Sequence, residues 1–300
     1  MPESLRPLSL SELLDRAIQL YRKHFGLFVG IAAIPFVAVT ALQVLEATLG
    51  LTKPGTTPAA LLAEWPRILV SLAVLECVVF LAVAYSMGAT VWAVGHLQLG
   101  EATGIGRSFR GLKGRVARVA LTMLAEIVVA MLPMLAVFVL AVLLPAVAIA
   151  GRVVGVIWGL LVVAVAIAAI VAAVWIWLRL AVAVPAVVLE DLGVFAALRR
   201  SAALAKGYVG RVFLVYLLTF ALELGMEGLF AVPALIIGGL RHPATGVWQV
   251  WGLAMGFLAN VLVMPILAIC LSLLFYDFKV RKEAFDIEVL LRRDAANAQA

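Results

Sequence analysis

The chain has 300 residues, of which 65% are hydrophobic and 13% charged, with a formal net charge of +6. At a mean hydropathy of +1.16 it could not cover a soluble surface with polar groups. Its apolar runs are continuous and longer than the ~18–20 residues that cross a bilayer core. That excludes a transmembrane barrel, whose strands alternate, and leaves an all-α polytopic membrane protein.

In chain order, about two dozen mixed residues come first, among them Glu3, Glu12 and Asp15. They do not have the short basic start and short apolar core of a cleavable signal. Six transmembrane helices are then expected, at roughly 25–49, 68–97, 116–150, 153–189, 212–240 and 247–276. The third and fourth exceed what a bilayer needs, so they tilt, kink or protrude, with Pro133, Pro145 and Pro185 placed for kinks.

The connections alternate in charge. Arg6, Arg16, Arg22 and Lys23 precede the first span, and Arg107, Arg110, Lys113, Arg115 and Arg118 lie around the second–third connection. Arg179, Arg199, Arg200, Lys206 and Arg211 lie around the fourth–fifth, and Lys279, Arg281, Lys282, Arg292 and Arg293 follow the sixth. The other side has only Lys53, Arg67, Arg152 and Arg241. The positive-inside rule puts both termini in the cytoplasm of a plasma (inner) membrane, and an odd span count would break the pattern. The charge is therefore a topology signal, and no nucleic-acid partner is expected.

The basic connections resemble one another. With Arg107 set on Arg200, Ser108/Ser201, Lys113/Lys206, Gly114/Gly207 and Arg118/Arg211 fall in register. More loosely, Arg16, Leu20, Arg22 and Gly26 fall on Arg200, Leu204, Lys206 and Gly210. One membrane domain over 1–293 is read, with three units at 8–98, 99–190 and 191–280, each a cytoplasmic amphipathic helix followed by a two-span hairpin. The competing reading is a shared need for basic juxtamembrane helices. Such helices suit the headgroup level. Arg107, Arg110, Lys113, Arg199, Arg200, Lys206, Lys279, Arg281 and Lys282 are the candidate contacts to anionic membrane lipids or to a protein partner on that face. The plainer alternative is that they only set topology.

The sixth span runs on into "FYDFKVRKEAFDIEVLLRR". A cytoplasmic helix over 277–293 would pair Asp277–Arg281, Lys279–Glu283, Lys282–Asp286 and Glu288–Arg292 at i,i+4. It would carry two apolar stripes on nearly opposite sides, as expected of a helix packed between surfaces. Residues 294–300 read as a frayed, disordered tail.

Charge inside the spans marks the candidate polar site: Glu223 and Glu227, one turn apart in the fifth span, with Glu126, Glu76 and Arg179. A hydrated cavity or ion path is one reading; interhelical hydrogen bonding, or burial as neutral acids, is the other. Glu46, near the outer end of the first span, is expected in water. Gly26/Gly30, Gly151/Gly155/Gly159 and Gly252/Gly256 are spaced for close helix packing. Cys77 and Cys270 are read as inert. The scattered His24, His96 and His242 give no metal spacing, and no phosphate-loop, GxSxG or HExxH motif occurs, so no metal, cofactor or catalytic residue is expected.

Three stretches carry a family resemblance: "LSLSELLDRAIQLYRKHF", "RLAVAVPAVVLEDLGVFAALRRSAALAKG" and "FYDFKVRKEAFDIEVL". Across about residues 5–291 the chain resembles the membrane domain attached to some bacterial glycerophosphoryl diester phosphodiesterases and its free-standing relatives. In those enzymes a separate soluble barrel is catalytic, and this chain has no residues left for one. The resemblance therefore implies a non-enzymatic membrane module. The competing expectation is a small transporter or channel with the glutamates along its path.

Overall fold

A computed structural model describes residues 8–49, 58–148, 152–238 and 246–283. These form ten helices, with no strand among the described residues: α1 (Leu10–Lys23), α2 (Phe25–Leu49), α3 (Pro58–Gln98), α4 (Ile105–Gly111), α5 (Val116–Ala148), α6 (Arg152–Leu180), α7 (Ala183–Leu189), α8 (Val194–Ala205), α9 (Val209–Gly238) and α10 (Gly246–Glu283). Six stretches are long and apolar enough to cross a membrane: α2, α3, α5, α6 continued into α7, α9 and α10. The protein is thus an all-α, multi-pass membrane protein.

Local chemistry sets the ends. Ser9 caps α1 reciprocally with Glu12: the Glu12 N–H donates to the Ser9 hydroxyl at 3.2 Å, and the Ser9 N–H donates to the Glu12 carboxylate at 2.8 Å. The fourth span breaks at 181–182, and Pro185 sits in the first turn of α7, where its missing N–H has no helical partner to lose. By contrast α5 continues unbroken through Pro133 and Pro145, and α10 through Pro265. One turn before Pro265, the Leu262 carbonyl accepts a hydrogen bond from the Tyr21 hydroxyl at 3.0 Å. This ties α1 to α10 where proline weakens the helix's own ladder.

The hairpins α2–α3, α5–α6 and α9–α10 each cross out and back, so one end of the bundle gathers α1, α4, α7, α8 and most of the cations. The main core lies at this basic end. It joins Leu13 and Ala17 of α1, Phe28 and Ile31 of α2, and Val91 and Val94 of α3. Leu112, Val119, all of α7 but its last residue, Val212, and Leu274, Phe275 and Phe278 of α10 complete it. Helix α10 is the hub, packed on α1, α2, α3 and α9. A smaller cluster of Ala32, Phe36, Val39, Ala82 and Val261 extends it outward between α2, α3 and α10.

Farther from the basic end the packing thins. No described residue of α5 beyond Ala130, of α6 before Ala169 or of α9 beyond Thr219 is buried. Lipid tails are as apolar as these side chains, so nothing forces the far halves together. The expected glycine packing is corrected here. A Cβ at Gly26, Gly159, Gly252 or Gly256 would meet nothing within 4 Å. Gly30, by contrast, is a close approach, facing Ile105 of α4. The tightest is Gly111, where an added Cβ would lie 2.1 Å from the Trp92 ring.

The compared connections share geometry. Gly114 and Gly207 both adopt a left-handed backbone, at φ +84° and +87°, and each precedes a span. At the starts of the first, third and fifth spans the N–H groups of Phe28, Val119 and Val212 donate to the carbonyls of His24, Arg115 and Tyr208. In that register Ala17/Ser108/Ser201 and Ile31/Thr122/Val215 are all buried.

Candidate functional site

The basic end has three carboxylate-centred networks. The first is Glu190, just after α7. Arg200 of α8 grips it bidentately, Nε to Oε2 and NH2 to Oε1 at 2.8 Å each, and Lys279 of α10 reaches Oε1 at 2.8 Å. Arg200 also holds Glu283 at the end of α10. Burial pushes the Glu190 carboxyl up, but the hydrogen bonds from Arg200 and Lys279 prevail and hold it below the usual carboxylate range.

The second is Asp277, whose residue is 3% exposed. It accepts from the Leu8 N–H at 2.8 Å and from Arg281 Nε at 2.9 Å, with Arg211 NH2 at 3.4 Å. The Leu8 carbonyl accepts from Arg211 at 2.8 Å and from Arg281 at 2.6 Å. The start of the described chain is thereby fastened to α9 and α10. The third is Asp191, itself left-handed at φ 56° as aspartate tolerates. Its Oδ1 accepts from Arg115 Nε and Arg118 NH2 at 2.8 Å each. Hydrogen bonding from Arg118, with the Arg115 charge beside it, holds its carboxyl below the usual range.

The candidate contact residues therefore divide. Arg200, Lys279 and Arg281 are committed to these networks. Lys282 Nζ donates to the carbonyls of Ala203 and Lys206 at the end of α8. Arg107, Arg110, Lys113, Arg199 and Lys206 are exposed, and none pairs with a carboxylate among the described residues. Of the expected tail pairs, Asp277–Arg281 forms, whereas Lys279 bonds Glu190 and Glu283 bonds Arg200. Asp286, Glu288 and Arg292, with residues 284–300 as a whole, lie outside the described residues.

The intramembrane set is not one cluster. Glu223 and Glu227 are exposed on α9, and Glu76 is exposed on α3. Glu223 nevertheless continues the stripe of Val212, Val215 and Thr219, which is buried nearer the basic end. Glu126 of α5 is 8% exposed, and its Oε1 has no hydrogen-bond partner. Tyr216 of α9 lies near it and beside Trp177 of α6. Arg179 is separate from all of these: its NH2 donates to the Ala202 carbonyl of α8 at 3.2 Å, and its guanidinium lies 4.7 Å from the Trp175 ring centroid. Glu46 corrects its expectation, being 5% exposed, within the protein rather than in water. Cys77 and Cys270 are both free, the first exposed and the second buried. Among the described residues no His, Cys, Asp or Glu group could hold a metal ion.

Sequence reasoning did not identify Glu190, Asp191 or Asp277 as network centres, nor Arg115, Arg118 and Arg211 as their partners. The signal available was the acidic pair "ED" ending an apolar run beside basic segments, and a lone aspartate where the sixth span ends. The chain matches no family model, no curated protein and no solved structure.

Proposed function

We propose that this is a non-enzymatic membrane module that acts through its basic end, which faces the cytoplasm of a bacterial plasma membrane and engages anionic lipid or an acidic partner there. One observation carries the reading: Arg107, Arg110, Lys113, Arg199 and Lys206 stay exposed at the end where the core is packed and where Arg200, Arg211, Lys279 and Arg281 are neutralised by carboxylates. Cations that only set topology need no rigid platform. These stand on short helices pinned to the bundle by Ser108, Leu112, Ala197, Ser201 and Leu204, all 2% exposed or less. The reading agrees with the resemblance to the phosphodiesterase-associated membrane domain. The shared left-handed glycines and matched buried positions support its division into the units 8–98, 99–190 and 191–280.

The test is native mass spectrometry of the protein extracted gently from its own membrane. Co-purified anionic lipid or a stoichiometric acidic protein is the expected result. A bare chain that shows no preference for added anionic over zwitterionic lipid would overturn the reading.

A second reading, transport along a polar path, is favoured by the buried, unpartnered Oε1 of Glu126 and by Glu223 on the inward stripe of α9. Glu126→Gln and Glu223→Gln would abolish flux in reconstituted vesicles if it holds, and would leave lipid or partner binding unchanged if the module reading holds.

A further inference from the structure

We infer that the turn between α8 and α9 is a binding site for the phosphate of an anionic phospholipid, formed by Arg179, Lys206 and Lys282. This rests on the reading of the basic end as a lipid-facing surface and assigns the contact to one place on it.

Three cations converge there from three helices. Arg179, one residue before the end of α6, donates to the carbonyl of Ala202. Lys282, at the end of α10, donates to those of Ala203 and Lys206. Lys206 is the cap residue of α8, and its own side chain is exposed. Lys282 thus lies near both Lys206 and Arg179, which border the same turn.

What compensates this charge is insufficient. The carbonyls of a helix C-terminus supply roughly half a negative charge against three full positive ones. No carboxylate pairs with any of the three among the described residues, whereas the neighbouring Arg200, Lys279, Arg211 and Arg281 each have one. A donor also remains: Lys282 uses two of its three N–H groups on carbonyls. Two of the three cations are thus held in place before any anion arrives, which lowers the ordering cost of binding one.

Depth identifies the anion's source. Arg179 stands on a spanning helix beside Trp175, with Trp177 and Tyr208 at the same end. Tryptophan and tyrosine collect where headgroups meet tails, so the three cations sit at the level of lipid phosphates.

The experiment uses the full chain in a neutral detergent, titrated with phosphatidylglycerol or phosphatidylcholine and read by native mass spectrometry. Two charge reversals are compared, Lys206→Glu in the turn and Arg199→Glu, exposed on the same helix but outside it. The expected result is a phosphatidylglycerol adduct weakened on the order of tenfold by K206E, scarcely changed by R199E and restored by Lys206→Arg. Equal weakening by both reversals, or none by K206E while the wild type still prefers phosphatidylglycerol, would overturn the site and leave the general reading standing. No lipid preference in the wild type would sink both. Displacement of the lipid by millimolar inorganic phosphate would overturn the assignment to a bilayer lipid in favour of a soluble phosphate compound.

Discussion

Arg200→Ala is the most informative perturbation of the basic end. It removes both bonds to Glu190 and both to Glu283, leaving Glu190 with Lys279. Hydrogen bonds to charged groups contribute ~1.5–3 kcal/mol each when buried, while exposed ion pairs contribute ~0–1 kcal/mol. Here the Arg200, Glu190 and Glu283 side chains are 27%, 18% and 35% exposed, so the site lies between these limits. Taking the Glu190 fork as partly buried and discounting the Glu283 contact heavily gives a loss of about 2 kcal/mol. Thermal unfolding in detergent, followed by tryptophan fluorescence, should show a midpoint lowered by about 3 °C. Arg200→Lys should recover part of this, because an ammonium cannot reproduce the fork.

The pH dependence gives an independent check. The folded Glu190 carboxyl titrates below its ordinary value of 4.5. A group whose folded value is depressed contributes stability above its unfolded value and loses it as pH falls through the folded one. The gap between wild type and R200A should therefore be full at neutral pH and close progressively below pH 4.5. A gap under about 0.5 kcal/mol at neutral pH would show that the network is only a surface ion pair, and one that persists unchanged in acid would show that Arg200 does not act through the ionised Glu190.

Other outcomes follow from the same structure. Asp277→Asn weakens the anchor on Leu8 and should cost about 3 kcal/mol, with faster hydrogen exchange along α1 than elsewhere. Gly207→Ala forces a side chain into φ +87° and should lower stability by about 1–2 kcal/mol, with Gly114→Ala behaving alike. Gly111→Ala drives a methyl into the Trp92 ring and should cost about 1–3 kcal/mol, with a change in tryptophan emission. In a Cys77→Ala background, cysteines at positions 223 and 227 should both react with small thiol reagents if water reaches the open side of α9; protection of both would place them in lipid.

The architecture was legible because it depends on runs and on charge sums. An apolar run crosses a bilayer whatever it packs against, so the expected first span, 25–49, coincides with α2, and the long fourth run is the one that breaks, at 181–182, before Pro185. The cations were visible too, but not their occupancy. Whether Arg200 or Lys206 meets lipid depends on which carboxylate a distant helix brings alongside, and Glu190 and Glu283 come from two different elements. The glutamates failed for the same reason. Glu126 and Glu223 read alike along the chain, and only the packing of neighbouring helices makes one buried and the other exposed. Glycine spacing misled because it measures what a helix would permit, and at Gly159, Gly252 and Gly256 no neighbour comes close enough to use it.

The distribution of packing argues for where the protein acts. A transport path needs helices that face one another across the whole bilayer, with polar groups continuing along the facing surface. Here burial ends at Ala130 on α5 and Thr219 on α9 among the described residues, although Trp158 still donates to Leu140 and Trp251 to Phe230, and Glu223 and Glu227 lie on the unburied part of α9. The polar groups with specific geometry are concentrated instead at the basic end, where Glu190, Asp191 and Asp277 each join elements far apart in the chain. Holding charges rigidly at a membrane surface costs side-chain entropy and desolvation, and membrane insertion alone requires neither. A surface that is rigid, basic and only partly neutralised is suited to recognising an anion, and Lys206 is the position from which that claim is most directly tested: it is exposed, carries no described carboxylate partner, and stands on a turn that Gly207 fixes in place.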